Sequence, residues 1–165
     1  MPSWTRLIPG SKIAGMAQMK LGWIVIGGPS VLRTAAAERL ELIADTYLSA
    51  GTPVQHALPT LLAAGENVRQ QITARVRRNL ADLRSAADSH PSMQVLKVCG
   101  GWTAILRVPR THTEEEWCLD LLENASVLVQ PGFFYDFRSE AFLVLSLLTE
   151  PKTFDEGVRR LLQRL

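Results

Sequence analysis

Cysteine is scarce in this chain. Cys99 and Cys118 are the only two. They form no C-x-x-C pair, so the pattern excludes a disulfide framework and a thiolate metal site, and both read as reduced thiols. Histidine is equally thin: His56, His90 and His112 stand singly, which leaves no ligand cluster and no metal to expect. Long hydrophobic runs are missing as well. None approaches the ~20 residues that span a bilayer, and the opening Met1-Pro2-Ser3-Trp4-Thr5-Arg6 lacks the apolar stretch of a signal peptide. A cytoplasmic protein with no membrane partner is therefore the expectation. Charge of one sign is lacking too, since the formal net charge is only +2. Arg69, Arg75, Arg77, Arg78 and Arg84 cluster, but acids and apolar residues interleave with them. That pattern reads as a solvated helix face, with no nucleic-acid partner.

What is present is an ordinary globular composition, 47% hydrophobic and 21% charged over 165 residues, enough to build a core. The first part is mostly helical in pattern. Residues 21–26 are apolar, β-branched and followed by glycine, which predicts a buried strand. Pro29 opens a helix with a stripe at Leu40, Ile43, Ala44 and Leu48, broken at Ala50-Gly51-Thr52-Pro53. A second helix is expected over 54–64 despite Pro59. A third is expected over about 66–87, where Val68, Ile72, Val76, Leu80 and Leu83 fall on one face until His90-Pro91 ends it.

The pattern then changes period. Residues 93–99 and 102–108 are strand-like and flank Gly100-Gly101, a hairpin signal because tight primed turns need positive φ. Thr113-Glu114-Glu115-Glu116 is a capping box opening a helix to about Asn124. Residues 127–130 and 142–148 read as strands, the first stopped by Pro131-Gly132. Thr153-Phe154-Asp155-Glu156 reads as a second capping box, opening a last helix with Val158, Leu161, Leu162 and Leu165 inward. The fold class expected is α+β: long helices, then a small antiparallel or mixed sheet with helices on one face.

The candidate chemistry lies near the start. Ser11-Lys12-Ile13-Ala14-Gly15 follows Pro9-Gly10, and a second cation, Lys20, comes eight residues later in Gln18-Met19-Lys20-Leu21-Gly22-Trp23. The apolar run Trp23-Ile24-Val25-Ile26 then ends in Gly27-Gly28-Pro29. A lysine amine beside a strand, with a second cation at hand, is what imine chemistry on an anionic aldehyde cofactor requires.

This segment resembles the lysine motif of the pyridoxal-phosphate-dependent aminotransferases of class I/II, the large fold-type-I family. Ser126-Val127-Leu128-Val129-Gln130-Pro131-Gly132-Phe133-Phe134 resembles the strand and Pro-Gly turn of the family's small domain. Phe142-Leu143-Val144-Leu145-Ser146-Leu147-Leu148 resembles its late strand. The resemblance implies pyridoxal 5'-phosphate as cofactor, and an amino acid and a 2-oxo acid as substrates. It makes Lys12 the Schiff-base lysine, Lys20 the cation on the cofactor phosphate and Ser11 a hydroxyl donor to that phosphate. It divides the chain into a remnant of the large cofactor domain (1–30), a helical linker region (31–90) and the small C-terminal α+β domain (91–165), the whole being a C-terminal portion of such an enzyme.

The sequence departs from the family at named places. Val144 stands where many members carry the arginine that grips the substrate carboxylate, and Arg138 is the nearest substitute. Pro9 and Gly10 replace small apolar residues. Residues that normally precede the lysine, including the aromatic that stacks on the cofactor ring, are not in this sequence. Two expectations follow. One is an aminotransferase part that works when completed by a missing N-terminal half or within a homo-oligomer. The other is a non-catalytic module that folds and self-associates without chemistry.

Overall fold

The computed structural model describes residues 4–9, 15, 17–47, 49–139 and 141–165. The chain divides into two compact units, Met1–Gln71 and Ile72–Leu165.

In the first unit, strands β1 (Trp4–Pro9) and β2 (Gly22–Gly27) pair antiparallel, in register from Trp4 opposite Gly27 to Pro9 opposite Gly22. Gly28 takes a φ of 120°, a conformation that side-chain-bearing residues avoid, and swings the chain into Pro29. Helix α1 (Ser30–Asp45) starts directly after that proline, and α2 (Thr52–Ala64) has a proline in its first turn, where a missing N–H costs nothing. Pro59 is accommodated inside α2. The long α3 (Glu66–Asp88) begins in this unit and runs on into the second. Among the first-unit residues whose side chains are described (15, 18–47 and 49–71) no hydrophobic side chain is buried, and Val31, Leu42 and Tyr47 are at least 70% exposed.

The second unit has a core. Strands β3 (Gln94–Val95), β4 (Thr103–Arg107), β5 (Gln130–Pro131) and β6 (Phe142–Ser146) form an antiparallel sheet in the order β3-β4-β6-β5. Period-2 alternation sends Ala104, Leu106, Leu143 and Leu145 to one face. Against them pack Leu83 and Ala87 of α3, Trp117 and Leu121 of α4 (Glu114–Ala125), and Phe154, Val158 and Leu161 of α5 (Pro151–Leu162). Helices on one face of a small antiparallel sheet are the expected α+β architecture. Asn79, fully buried on α3, donates from Nδ2 to the carbonyls of Leu147 (3.0 Å) and Thr149 (2.8 Å), tying that helix to the turn after β6.

The strand expected over 93–99 is regular only at Gln94–Val95, with Leu96 N–H still donating to the Ile105 carbonyl at 2.9 Å, and the one over 127–130 is reduced to Gln130–Pro131. The capping box at Thr113 is formed: its hydroxyl accepts from Glu116 N–H, and Glu116 accepts from Thr113 N–H at 2.8 Å. The second box is not where the spacing put it. Helix α5 starts at Pro151, with Glu150 as N-cap accepting from Thr153 N–H at 3.1 Å. Pro151 fixes the first helical φ, so the helix begins two residues before Thr153. Glu150→Ala is therefore expected to lower unfolding stability, read as a midpoint shift in urea, with no comparable loss for Thr153→Ala.

The last helix also carries a pH dependence. Hydrogen bonds from Arg159 and then Arg160 lower the Glu156 pKa from its usual 4.5 to about 2. A carboxylate with a depressed folded pKa stabilises above its unfolded pKa and loses that contribution as pH falls through the folded one. Thermal stability is expected to drop between about pH 4.5 and 2, and Glu156→Gln should flatten that part of the profile.

Candidate functional site

Lys12 and Ser11 lie outside the described residues. The frame around them is described. β1 ends at Pro9, β2 begins at Gly22, and the pairing is continuous to that last rung. Antiparallel pairing brings both ends of the 10–21 connection to one end of the hairpin. Lys20, just before β2, is therefore presented at the end where the Lys12 segment departs. It is exposed, holds a left-handed φ of 49° after a 3-10 turn at Ala17–Met19, and has no ion pair among the described residues. A left-handed lysine is uncommon and places the side chain by backbone constraint. Its ammonium is available to an anion, which fits a phosphate.

In the second unit the candidate region is the loop after β5. A 3-10 turn, Gly132–Tyr135, is followed by Asp136 in the left-handed region at φ 57°. Phe137 stacks on Phe142, with ring centroids 5.0 Å apart and planes 29° apart. Arg138 comes next and is exposed. Ala141, at φ 84°, accepts Val108 N–H at 3.0 Å and leads into β6. Phe133 and Phe134, though large and apolar, are 50% and 67% exposed. The turn after Pro131 directs them outward, and the space under it is filled by the Glu114 carboxylate. The Tyr135 hydroxyl donates to Gln130 Oε1.

Val144 is 4% exposed and pairs with Ile105 and Gln130. Its neighbours Leu143 and Leu145 point into the core, so Val144 faces the opposite side of the sheet. That face thus carries an apolar side chain where the resemblance expects a carboxylate-binding arginine. Lys20 and Arg138 belong to different units. A cavity of about 380 Å³ in the second unit is lined by Val127, Val129, Leu145, Phe154, Val158 and Leu161 among others, and takes in none of the expected site residues. Cys118 is half-buried, and burial, followed by the charges of Glu114 and Glu115, pushes its thiol up to about 11, too high for a nucleophile at neutral pH. Among the described residues there is no cluster of three or more metal-ligating side chains, and no helix is long and apolar enough to cross a membrane.

Sequence reasoning missed Glu114 as anything beyond a residue of the capping box. No linear signal marks it, because both of its described backbone partners are distant in sequence.

Residues 10–161 match the family model described as Aminotransferase class I and II. This chain belongs to that family. Members use pyridoxal 5'-phosphate and transaminate between amino acids and 2-oxo acids. The chain is 24% identical over 159 residues to glutamate-pyruvate aminotransferase AlaA of Haemophilus influenzae, covering 92% of this chain and 39% of that protein. It is 25% identical over 159 residues to an alanine aminotransferase of Mycobacterium tuberculosis, covering 92% and 37%. The chain thus spans about two-fifths of the length of the curated relatives it matches. Its fold is similar to that of an alanine aminotransferase from Pyrococcus furiosus, with a TM-score of 0.80 at 17% identity over 98% of this chain and 42% of that one. A pyridoxal-phosphate-dependent aminotransferase from Streptococcus suis gives 0.76 at 20% identity over 96% and 41%.

Proposed function

We propose that this chain is the lysine-bearing C-terminal part of a cytoplasmic aminotransferase that moves an amino group between an amino acid and a 2-oxo acid. The observation that carries this reading is the family match from residue 10 to 161, which takes in the Lys12 segment, β2 and all but the last four residues of the second unit. In this reading residues 1–30 belong to the cofactor domain, 31–90 link, and 91–165 form the small domain.

The residues divide the work as follows. The Lys12 Nζ amine would hold the cofactor's aldehyde carbon and would move the proton to and from the substrate α-carbon. Lys20 pairs with the phosphate as a point charge, without the two-pronged grip of an arginine. The Ser11 hydroxyl donates one further hydrogen bond to it. Arg138 offers a guanidinium to the substrate carboxylate. Pyridoxal 5'-phosphate, when bound, supplies the electron sink. The names of the relatives make alanine, glutamate and their 2-oxo acids the first substrates to test.

The exposed apolar side chains of the first unit, among them Val31, Leu42, Ile43 and Tyr47, support a partner for it, from the rest of a longer protein or from a second subunit in a dimer. The same observation, together with the apolar Val144, favours a second reading in which the chain folds and self-associates without chemistry. One experiment separates the two. Pyridoxal 5'-phosphate is added to the purified chain, the mixture is reduced with borohydride, and the adduct is mapped by peptide mass spectrometry. A stoichiometric adduct on Lys12 supports the enzyme. Scattered, substoichiometric labelling supports the module.

A further inference from the structure

The loop that carries Arg138 is closed by one carboxylate. Glu114 is 2% exposed. Its Oε2 accepts the N–H of Phe133 at 2.8 Å, and its Oε1 accepts the N–H of Phe142 at 2.8 Å, so both ends of the segment between them are tied to the first residue of α4. That helix end is itself fixed by the reciprocal Thr113 and Glu116 bonds. Gly132 makes the approach possible, because a Cβ there would lie 2.8 Å from Glu114 Oε1 and 2.9 Å from Phe142 Cβ. The Phe137–Phe142 stack anchors the middle of the loop to the same strand end. Arg138 follows that anchor and is exposed on a loop held at both ends.

We infer that Glu114 is a positioning residue for carboxylate recognition, holding the loop so that the Arg138 guanidinium is preset for the carboxylate of an amino acid or 2-oxo acid. This rests on the aminotransferase reading for the identity of the ligand. The residue type is specific to the task. Both Glu114 oxygens accept, whereas a glutamine would set an N–H donor against one of the two backbone N–H groups. A neutral replacement of the same shape therefore breaks one tie and keeps the other.

The test labels the whole chain with phenylglyoxal and reads modification of Arg138 by peptide mass spectrometry, with and without pyruvate. In the unsubstituted chain pyruvate is expected to slow labelling of Arg138. In Glu114→Gln that protection is expected to be lost, and tryptic cleavage after Arg138 to rise about tenfold, as expected for losing one hydrogen bond to a charged group. Thr113→Ala loosens the start of α4 but leaves the Glu114 carboxylate and both its ties, and is expected to lose less of the protection than Glu114→Gln. The inference is overturned if Glu114→Gln stays protected, if Thr113→Ala loses protection equally, or if pyruvate never protects Arg138. Borohydride mapping of Lys12 on the same preparation reports the aminotransferase reading separately. Protection at Arg138 without an adduct at Lys12 would remove transamination and leave Glu114 positioning a carboxylate site.

Discussion

Lys12→Ala is expected to abolish the borohydride-stable pyridoxal phosphate adduct while leaving the unfolding midpoint unchanged. The chain has only four lysines, Lys12, Lys20, Lys97 and Lys152, so the site of any adduct is unambiguous. The last three are exposed and solvated, and an exposed amine reacts with an aldehyde only weakly and reversibly. In the proposed reading a working lysine combines a neutral amine with a phosphate held nearby, the roles assigned to Lys12 and Lys20. Lys20→Ala should therefore keep Lys12 as the labelled residue but demand more cofactor for the same yield. Substitution of one lysine away from caps, cores and ion-pair networks usually changes stability by less than about 0.5 kcal/mol. Retention of a full-yield adduct on Lys97 or Lys152 in the Lys12→Ala chain would sink the assignment.

The parts of the fold legible in the sequence are those set by local chemistry. The Thr113 capping box is written in adjacent residues and is formed as read. The heptad-like spacing from Val68 to Leu83 does emerge as one continuous helix, Glu66–Asp88. The glycine pair at 100–101 does join two antiparallel strands, with Gly101 at φ 88°. What the sequence hid depends on tertiary partners. Thr153-Phe154-Asp155-Glu156 has the composition of a cap, but Pro151 fixes the helix start earlier and hands the cap to Glu150. Phe133 and Phe134 look like core residues because they are large and apolar. Their exposure follows from a turn direction that depends on Glu114, reaching across from another helix. The same holds for the site: Lys20 and Arg138 can be picked by type, but the closure of the Arg138 loop by a buried carboxylate cannot be read from spacing.

Leu143→Ala is expected to cost the second unit about 2–5 kcal/mol, the range for removing a fully buried leucine from a packed core. Leu143 is 0% exposed and sits on β6, paired with Leu106 on one side and Pro131 on the other. It lies in the same buried cluster as Trp117 and Leu121 of α4 and Leu83 of α3. Shortening it opens a void where strand, turn and helices meet, and close-packed neighbours collapse into such a void only in part. The loss matters more here than in a large protein. Marginal stability is about 5–15 kcal/mol for a whole domain, so one such substitution removes a large fraction of it. Val144→Ala, one residue along but on the opposite face and outside the main cluster, should cost less, since Val144 does not join the helices to the sheet. The two are compared by chemical denaturation followed by far-ultraviolet circular dichroism. Equal losses for the two variants would mean that both faces of β6 are covered equally, and that the sheet carries a second layer of packing in solution.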